Sequence, residues 1–282
     1  FQAEDGIRDS VASRGLGDVY KRQGTLVLNY GWSDGYRYVT TLRVDLNSDV
    51  GESLASDVSS GSAGLLTSIT SANIACGFHA GDPTTMRRTA RLAIKLGVAV
   101  GAHPSFPDKA GFGRRELQKA SEDVENLVAY QVAALAGVVA AEGGYLSHVK
   151  PHGALYNMAA RDRKLADAVA RGVALFNPKL ILVGLSGSCL VAAGRDAGLS
   201  VAAEVFADRA YERTGVLRSR FLPGAVIDDS TAVVERVLQM VHDRTVPTVT
   251  GELIELSLIH ISEPTRRYAI SYAVFSLKKK RG

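Results

Sequence analysis

Short apolar runs alternate with longer amphipathic segments through most of the 282-residue chain, and this alternation restricts the fold more than any bulk property. Strands are predicted at residues 42–47, 69–76, 98–102, 145–149, 180–184 and 201–205. Helices are predicted between and after them, at residues 83–96, 121–142, 162–176, 187–197 and 231–242. Asp82 supplies an N-cap, Pro83 occupies the first helical position and Gly97 closes that helix. A repeated strand–helix order is the pattern of parallel βα units. No glycine-rich dinucleotide fingerprint or phosphate loop follows the first strand, and ionisable residues follow several strands instead of one crevice. An incomplete (β/α) barrel is therefore expected over a doubly wound sheet.

Composition sets outer limits. A hydrophobic content of 46% is that of a globular chain long enough for one large α/β domain. No apolar stretch is expected to span a bilayer, and the N-terminus lacks a basic-then-apolar signal pattern. Cys76 and Cys189 lie far apart without metal-type spacing, as reduced thiols of a cytoplasmic protein would. The formal net charge of +4 comes from the C-terminal end, where Arg266, Arg267, Lys278, Lys279, Lys280 and Arg281 face only Glu263. The body is close to neutral, which argues against a polyanion-binding surface there.

Both ends resemble translated sequencing adapter. Residues 15–23 (GLGDVYKRQ) and 256–266 (LSLIHISEPTR) resemble one adapter read from its two strands, and residues 1–9 and 270–275 resemble the flow-cell primer in both directions. The expected organisation is an adapter-derived segment at 1–23, a leader of no recognisable pattern at 24–41, one barrel domain at 42–255 and a second adapter-derived segment at 256–282. Sequencing the source DNA checks this: adapter is expected at both ends, and an uninterrupted genomic locus would overturn it.

Loops that follow barrel strands converge on one face, so their residues become neighbours. The strand ends contribute Asp45, Asn47, Asp49 and Glu52; His79 and Asp82; His103; Lys150 and His152; then Glu204, Asp208 and Arg209. Carboxylates with neutral imidazoles can bind a divalent metal or act as general acid and base near neutral pH. Lys150 and Arg209 can neutralise a phosphate or carboxylate. Several residues have plainer readings. Asp82 is a helix cap, His148 a core histidine and Cys76 a small buried side chain. Arg114 and Arg115, after Gly111-Phe112-Gly113, form either a clamp for an anionic ligand or a solvated pair.

Five motifs in order carry a family resemblance: Val44 through Glu52, Ser71 through Asp82, Gly101-Ala102-His103-Pro104-Ser105, Gly111-Phe112-Gly113-Arg114-Arg115 and Lys150-Pro151-His152-Gly153-Ala154-Leu155-Tyr156. With Val205 through Tyr211 and Pro223 through Ile227, they resemble the LamB/YcsF family over residues 43–255. The resemblance implies a barrel related to glycoside hydrolase/deacetylase barrels. It also implies ATP-dependent opening of 5-oxoproline (pyroglutamate) to L-glutamate with partner subunits B and C; charge distribution and the apolar runs, for their part, lead to the expectation of no nucleic-acid and no membrane partner. A lactam is a poor electrophile; phosphorylation of its oxygen by ATP would activate it toward water. On this reading Asp45, Asp49, His79, His103, Lys150 and His152 carry the chemistry, and Arg114, Arg115 and Arg209 bind the anionic cofactor. Asp45, His79 and His103 are the candidate ligands of a divalent metal. The family continues past residues 250–252 into a strand bearing His-Gly-Asp and a closing helix, so the last strand and helix are expected to be absent. A stand-alone metal-dependent amidase or deacetylase, and a non-catalytic binding subunit, are the rival readings.

Overall fold

The computed structural model describes residues 25–33, 36–52, 64–256 and 272–276. The expectations for residues 1–23 and for most of 256–282 lie outside the described residues. Six parallel strands form a curled, incomplete α/β barrel: β2 (Tyr36–Val50), β3 (Ser71–Ala75), β4 (Ala99–His103), β5 (Leu146–Val149), β6 (Ile181–Leu185) and β7 (Ser200–Phe206). An N-terminal strand, β1 (Thr25–Ser33), pairs antiparallel with β2, so part of the leader of no recognisable pattern forms a hairpin. A two-stranded hairpin of β8 (Thr245–Pro247) and β9 (Leu253–Glu255) stands apart from the barrel sheet. The position between β7 and β2, where a missing strand is expected, holds the short strand β10 (Tyr272–Ser276), parallel to both. No helix follows it among the described residues.

The helices are α1 (Pro83–Leu96), α2 (Ser121–Ala141), α3 (Gly153–Arg161), α4 (Arg163–Phe176), α5 (Cys189–Asp196) and α6 (Ser230–His242). Asp82 caps α1 by accepting from Thr85 N at 2.9 Å, and Gly97 closes it at φ 67°. Asp162 does double duty, ending α3 and capping α4 through Leu165 N. The sequence reading placed a helix start at Asp162 and missed α3, which begins on Gly153 without a side-chain cap.

Alternation along the strands sorts their side chains. Ala72, Ile74, Val100, Ala102, Val149, Leu182 and Val205 are buried in the apolar core that the helices cover. The intervening residues, Asn47, Asn73, His148, Lys150 and Glu204, are buried and hydrogen-bond to one another on the opposite side of the sheet. The barrel interior is thus polar, unlike the packed aliphatic layers usual for this architecture.

Contrary to the sequence expectation, α2 is long and apolar enough to cross a membrane by length and composition. It instead lines the core with Val124, Val128, Val132, Leu135 and Val139, spaced at three to four residues. Its buried Gln131 accepts from Ser105 N at 3.0 Å and donates to Ser105 O at 2.9 Å, fixing the loop after β4.

α4 approaches α2 closely at Gly172, where a Cβ would meet the backbone oxygen of Glu125 at 2.6 Å. Gly172→Ala gains about 1 kcal/mol of helix propensity. Overpacking against backbone costs about 1–3 kcal/mol. A net destabilisation of about 1 kcal/mol is expected in urea denaturation, and a more stable variant would show that the two helices have room to part.

Candidate functional site

The polar interior is layered. At the bottom, Asp45 accepts from Thr70 Oγ1 at 2.5 Å and Ser71 Oγ at 2.7 Å. Burial raises its pKa against those hydrogen bonds and the charge of Lys150. Above it, Asn73 Nδ2 donates to Asn47 Oδ1 at 2.7 Å and to Asp49 Oδ1 at 3.1 Å. His148 Nε2 lies 2.8 Å from Asn73 Oδ1, and Ser147 Oγ is 2.7 Å from His148 Nδ1. His148 is therefore the core histidine expected, on the same interior side as Lys150. Gly101 on β4 makes room for it, because a Cβ there would land inside the imidazole ring.

The next layer is ionic. Lys150 Nζ lies 2.9 Å from Glu204, 3.0 Å from Asn47 Oδ1 and 3.5 Å from Asp49. Burial works against the ammonium, but the charges of Asp49 and Glu204 outweigh it and raise its pKa. Its head also sits 5.1 Å from the centre of the Phe206 ring.

Three imidazoles and a carboxylate crown the interior. His79, His103, His152 and Glu52 each offer a ligand atom, and all four atoms lie within 4.8 Å of one another. Glu52 Oε1 is 3.4 Å from His79 Nε2 and 3.5 Å from His152 Nδ1. His103 Nε2 is 3.4 Å from Asp49 Oδ1. The rings of His79 and His152 stack at 3.8 Å. Burial, then the neighbouring imidazoles, depress His152 strongly; burial also lowers His79 against the pull of the Glu52 carboxylate.

Tautomers follow from the backbone. His103 Nδ1 faces the carbonyl of Lys150 at 2.6 Å, and His152 Nε2 faces the carbonyl of Phe112 at 3.0 Å. Each of those nitrogens must carry hydrogen. In the neutral rings the other two nitrogens, His103 Nε2 and His152 Nδ1, are then bare, yet they point at each other across 2.9 Å. Two facing lone pairs repel unless a proton or a cation lies between them. The Phe112 carbonyl reaches His152 because Phe112 takes a left-handed conformation, φ 54°, rare for a non-glycine residue.

The loop that carries Phe112 is held by buried Asp108, which accepts from Gly111 N at 2.9 Å and from the Arg115 guanidinium. The Arg115 partner chiefly lowers Asp108 to about 2. Arg115 thus braces the loop, while Arg114 lines a cavity of about 400 Å³ and lies 4.9 Å over the Phe112 ring. Asp49, His103, Lys150, His152, Arg209 and Arg220 line the same cavity.

Of the residues expected to carry chemistry, Asp49, His79, His103, Lys150 and His152 come together at this upper level. Asp45 is two layers below, among hydroxyls, and is not one of the four clustered ligand atoms. Glu52 and His152 stand where the metal reading had Asp45. Asn73, Glu204 and Arg220 complete the surroundings. Asn73 was concealed in an apolar run, and nothing in the local sequence singles out Arg220. Cys76 is buried, its thiol pushed up to about 12 by burial, which leaves it a poor nucleophile.

The profile of the LamB/YcsF family matches residues 44–262. The chain belongs to the LamB/YcsF family. It is 51% identical over 214 residues to the 5-oxoprolinase A subunit of Tolumonas auensis, covering 76% of this chain and 85% of that protein. Its identity with the 5-oxoprolinase A subunit of Geobacillus kaustophilus is 55% over 208 residues, 74% of this chain and 81% of the relative. Among solved structures, the lactam utilization protein of Thermus thermophilus superposes with a TM-score of 0.73 at 42% identity, over 83% of this chain and 90% of that one.

Burial holds His148 down to about 3, so the folded protein keeps it neutral where the unfolded chain, near 6.5, takes up a proton. Its stabilising contribution is complete above pH 6.5 and is lost as pH falls toward 3. Between pH 7.5 and 5 the loss is about 2 kcal/mol. Urea denaturation of the wild type and of His148→Gln at both pH values checks this: the variant should lose less stability by about that amount, and equal losses would refute the assignment.

Proposed function

We propose that this LamB/YcsF chain is the A subunit of an ATP-dependent 5-oxoprolinase, opening 5-oxoproline to L-glutamate with partner subunits B and C in the cytoplasm. The observation that carries the reading is the pair of imidazole nitrogens held bare and face to face above a buried, doubly paired lysine. The relatives' names supply the substrate, and the pocket supplies chemistry suited to it.

Hydrolysis of a lactam needs an activated carbonyl, a deprotonated water and a protonated leaving nitrogen. Transfer of the terminal phosphoryl group of ATP to the lactam oxygen releases ADP and leaves the ring carbon electrophilic. Water adds to that carbon as His103 accepts its proton, with His152 Nδ1 2.9 Å away to share it. The added hydroxyl releases its remaining proton to solvent as the ring C–N bond breaks, the imidazolium returns its proton to nitrogen, and a second water hydrolyses the remaining acyl phosphate. The Lys150 ammonium balances the negative charge that gathers on oxygen in the addition step. Asp49, hydrogen-bonded to Asn73 and beside His103, steadies the imidazolium.

The crown also fits a divalent cation. Ligand bonds of about 2.0–2.2 Å in a tetrahedral site place donor atoms about 3.3–3.6 Å apart. The Glu52–His79 and Glu52–His152 separations are 3.4 and 3.5 Å, the His103–His152 pair is closer at 2.9 Å, and all four atoms lie within 4.8 Å of one another. Glu52, His79, His103 and His152 would hold the ion, which would supply Lewis acidity at the lactam oxygen in place of the base role of the two imidazoles, whose bare nitrogens would then be ligands.

Glutamate release by this chain assembled with its partner subunits tests the reading. Turnover is expected only with ATP and partners present. His103→Ala and His152→Ala should each lower kcat by about 10²–10⁴. Lys150→Met should cost about 10²–10³. Turnover by the chain alone without ATP would favour the amidase reading; unchanged turnover in all three variants would favour a binding subunit. Elemental analysis should find one divalent ion per chain, lost in His79→Ala.

A further inference from the structure

The charges lining the 400 Å³ cavity do not cancel. Lys150 is held by Asp49 and Glu204, Arg161 by Glu116 at 2.5 Å, and Arg218 by Glu212 at 2.9 Å. Arg114, Arg209 and Arg220 line the same walls, and none of them makes an ion pair with a carboxylate among the described residues. Arg209 is 4% exposed and fixed by backbone carbonyls: its Nε donates to Ala225 O at 3.1 Å and its Nη2 to Arg218 O at 2.5 Å. Arg220 is half-buried. Burial, then the charge of Arg220, lowers Arg209 to about 10; burial, then the charge of Arg114, lowers Arg220. Asp208 partly offsets both, and Asp49 and Glu52 also act on Arg220 in the same direction. Three guanidiniums thus line one pocket with Lys150 and the imidazole pair. Gly153 and Ala154, in the first turn of nine-residue α3, add the positive end of a helix to the same wall.

We propose that Arg114, Arg209 and Arg220 form a subsite for the phosphoryl group of a phosphorylated small substrate. This rests on the reading above, and it places the activated lactam, not only the free one, on this chain. A tetrahedral dianion accepts forked hydrogen bonds from several guanidiniums and relieves their mutual repulsion. A single carboxylate supplies half that charge. With the phosphoryl group held by the guanidiniums, the activated carbon of a small lactam lies within the same cavity as His103, His152 and Lys150.

Isothermal titration of the full chain with inorganic phosphate, ATP and 5-oxoproline in parallel tests the subsite. Inorganic phosphate should bind the wild type and bind at least tenfold more weakly to Arg220→Gln and to Arg114→Gln. Arg220→Lys should stay within about threefold, and all variants should unfold at the wild-type temperature. Affinity for 5-oxoproline should change less than twofold, and ATP should bind no more tightly than phosphate. The subsite is overturned if phosphate fails to bind, if Arg220→Gln binds it as the wild type does, or if Arg220→Gln loses 5-oxoproline in parallel, which would make this a carboxylate pocket. Much tighter, Arg220-dependent binding of ATP would overturn it in favour of a nucleotide site. Phosphate binding lost in the variant while the assembled wild type makes no glutamate would sustain the subsite and overturn the proposed activity. Glutamate formation without phosphate binding would do the reverse.

Discussion

Lys150 Nζ, 2% exposed as a residue and 2.9 Å from Glu204, is a charge taken out of water, and most of the barrel interior is arranged around keeping it there. A buried ammonium survives only with its counter-charges and hydrogen bonds in place, and removing one partner of such a pair typically costs about 3–5 kcal/mol. Asp49, Glu204 and the Asn47 amide surround it from β2 and β7, while Lys150 itself follows β5. The ion cluster therefore ties opposite sides of the sheet together. It also explains why the inner layers are amides, hydroxyls and imidazole instead of aliphatic side chains: each satisfies the one above.

The imidazole crown depends on the same scaffold. The peptide carbonyl of Lys150 fixes the tautomer of His103, so one residue sets both the charge below and the bare nitrogen above. Buried polar networks are strong when every member is satisfied and weak otherwise. Here every ring except His79 has at least one nitrogen committed to a backbone, amide or hydroxyl partner. Of the uncommitted nitrogens, His79 Nε2 faces Glu52, and His103 Nε2 and His152 Nδ1 face each other. That is the arrangement of a site built to receive something.

Much of this was legible in the sequence. Short apolar runs ending in histidine gave the strand ends, and Asp82-Pro83 gave the start of α1, because caps and periodicity are local signals. Gly153 carried no such signal, so α3 was missed, and with it the fact that His152 sits at a helix start. Gly101 and His148 illustrate what local reading cannot reach: each looks ordinary alone, and only strand register brings the missing Cβ beneath the ring. Arg220 lies in a segment without periodicity, and of its two partners only Arg209 is near it in the chain, while Arg114 is far away. Asp45 was grouped with Asp49 by spacing, but four residues along a strand is roughly 13 Å of rise, enough to separate a buried acid from the ligand cluster.

The three residues from Phe112 to Arg114 serve three masters. The Phe112 carbonyl orients His152, the Gly113 carbonyl receives Ala154 N at 2.8 Å, and the Arg114 guanidinium rests on the Phe112 ring. A Cβ on Gly113 would strike both Ser105 Oγ and His79 Cβ. Surface loops ordinarily absorb insertions and deletions at little cost. This one has no slack to absorb them: adding or removing a single residue would rotate the carbonyl away from the imidazole and the guanidinium away from the cavity together. Among homologues, its length should vary less than that of the turns on the far side of the barrel.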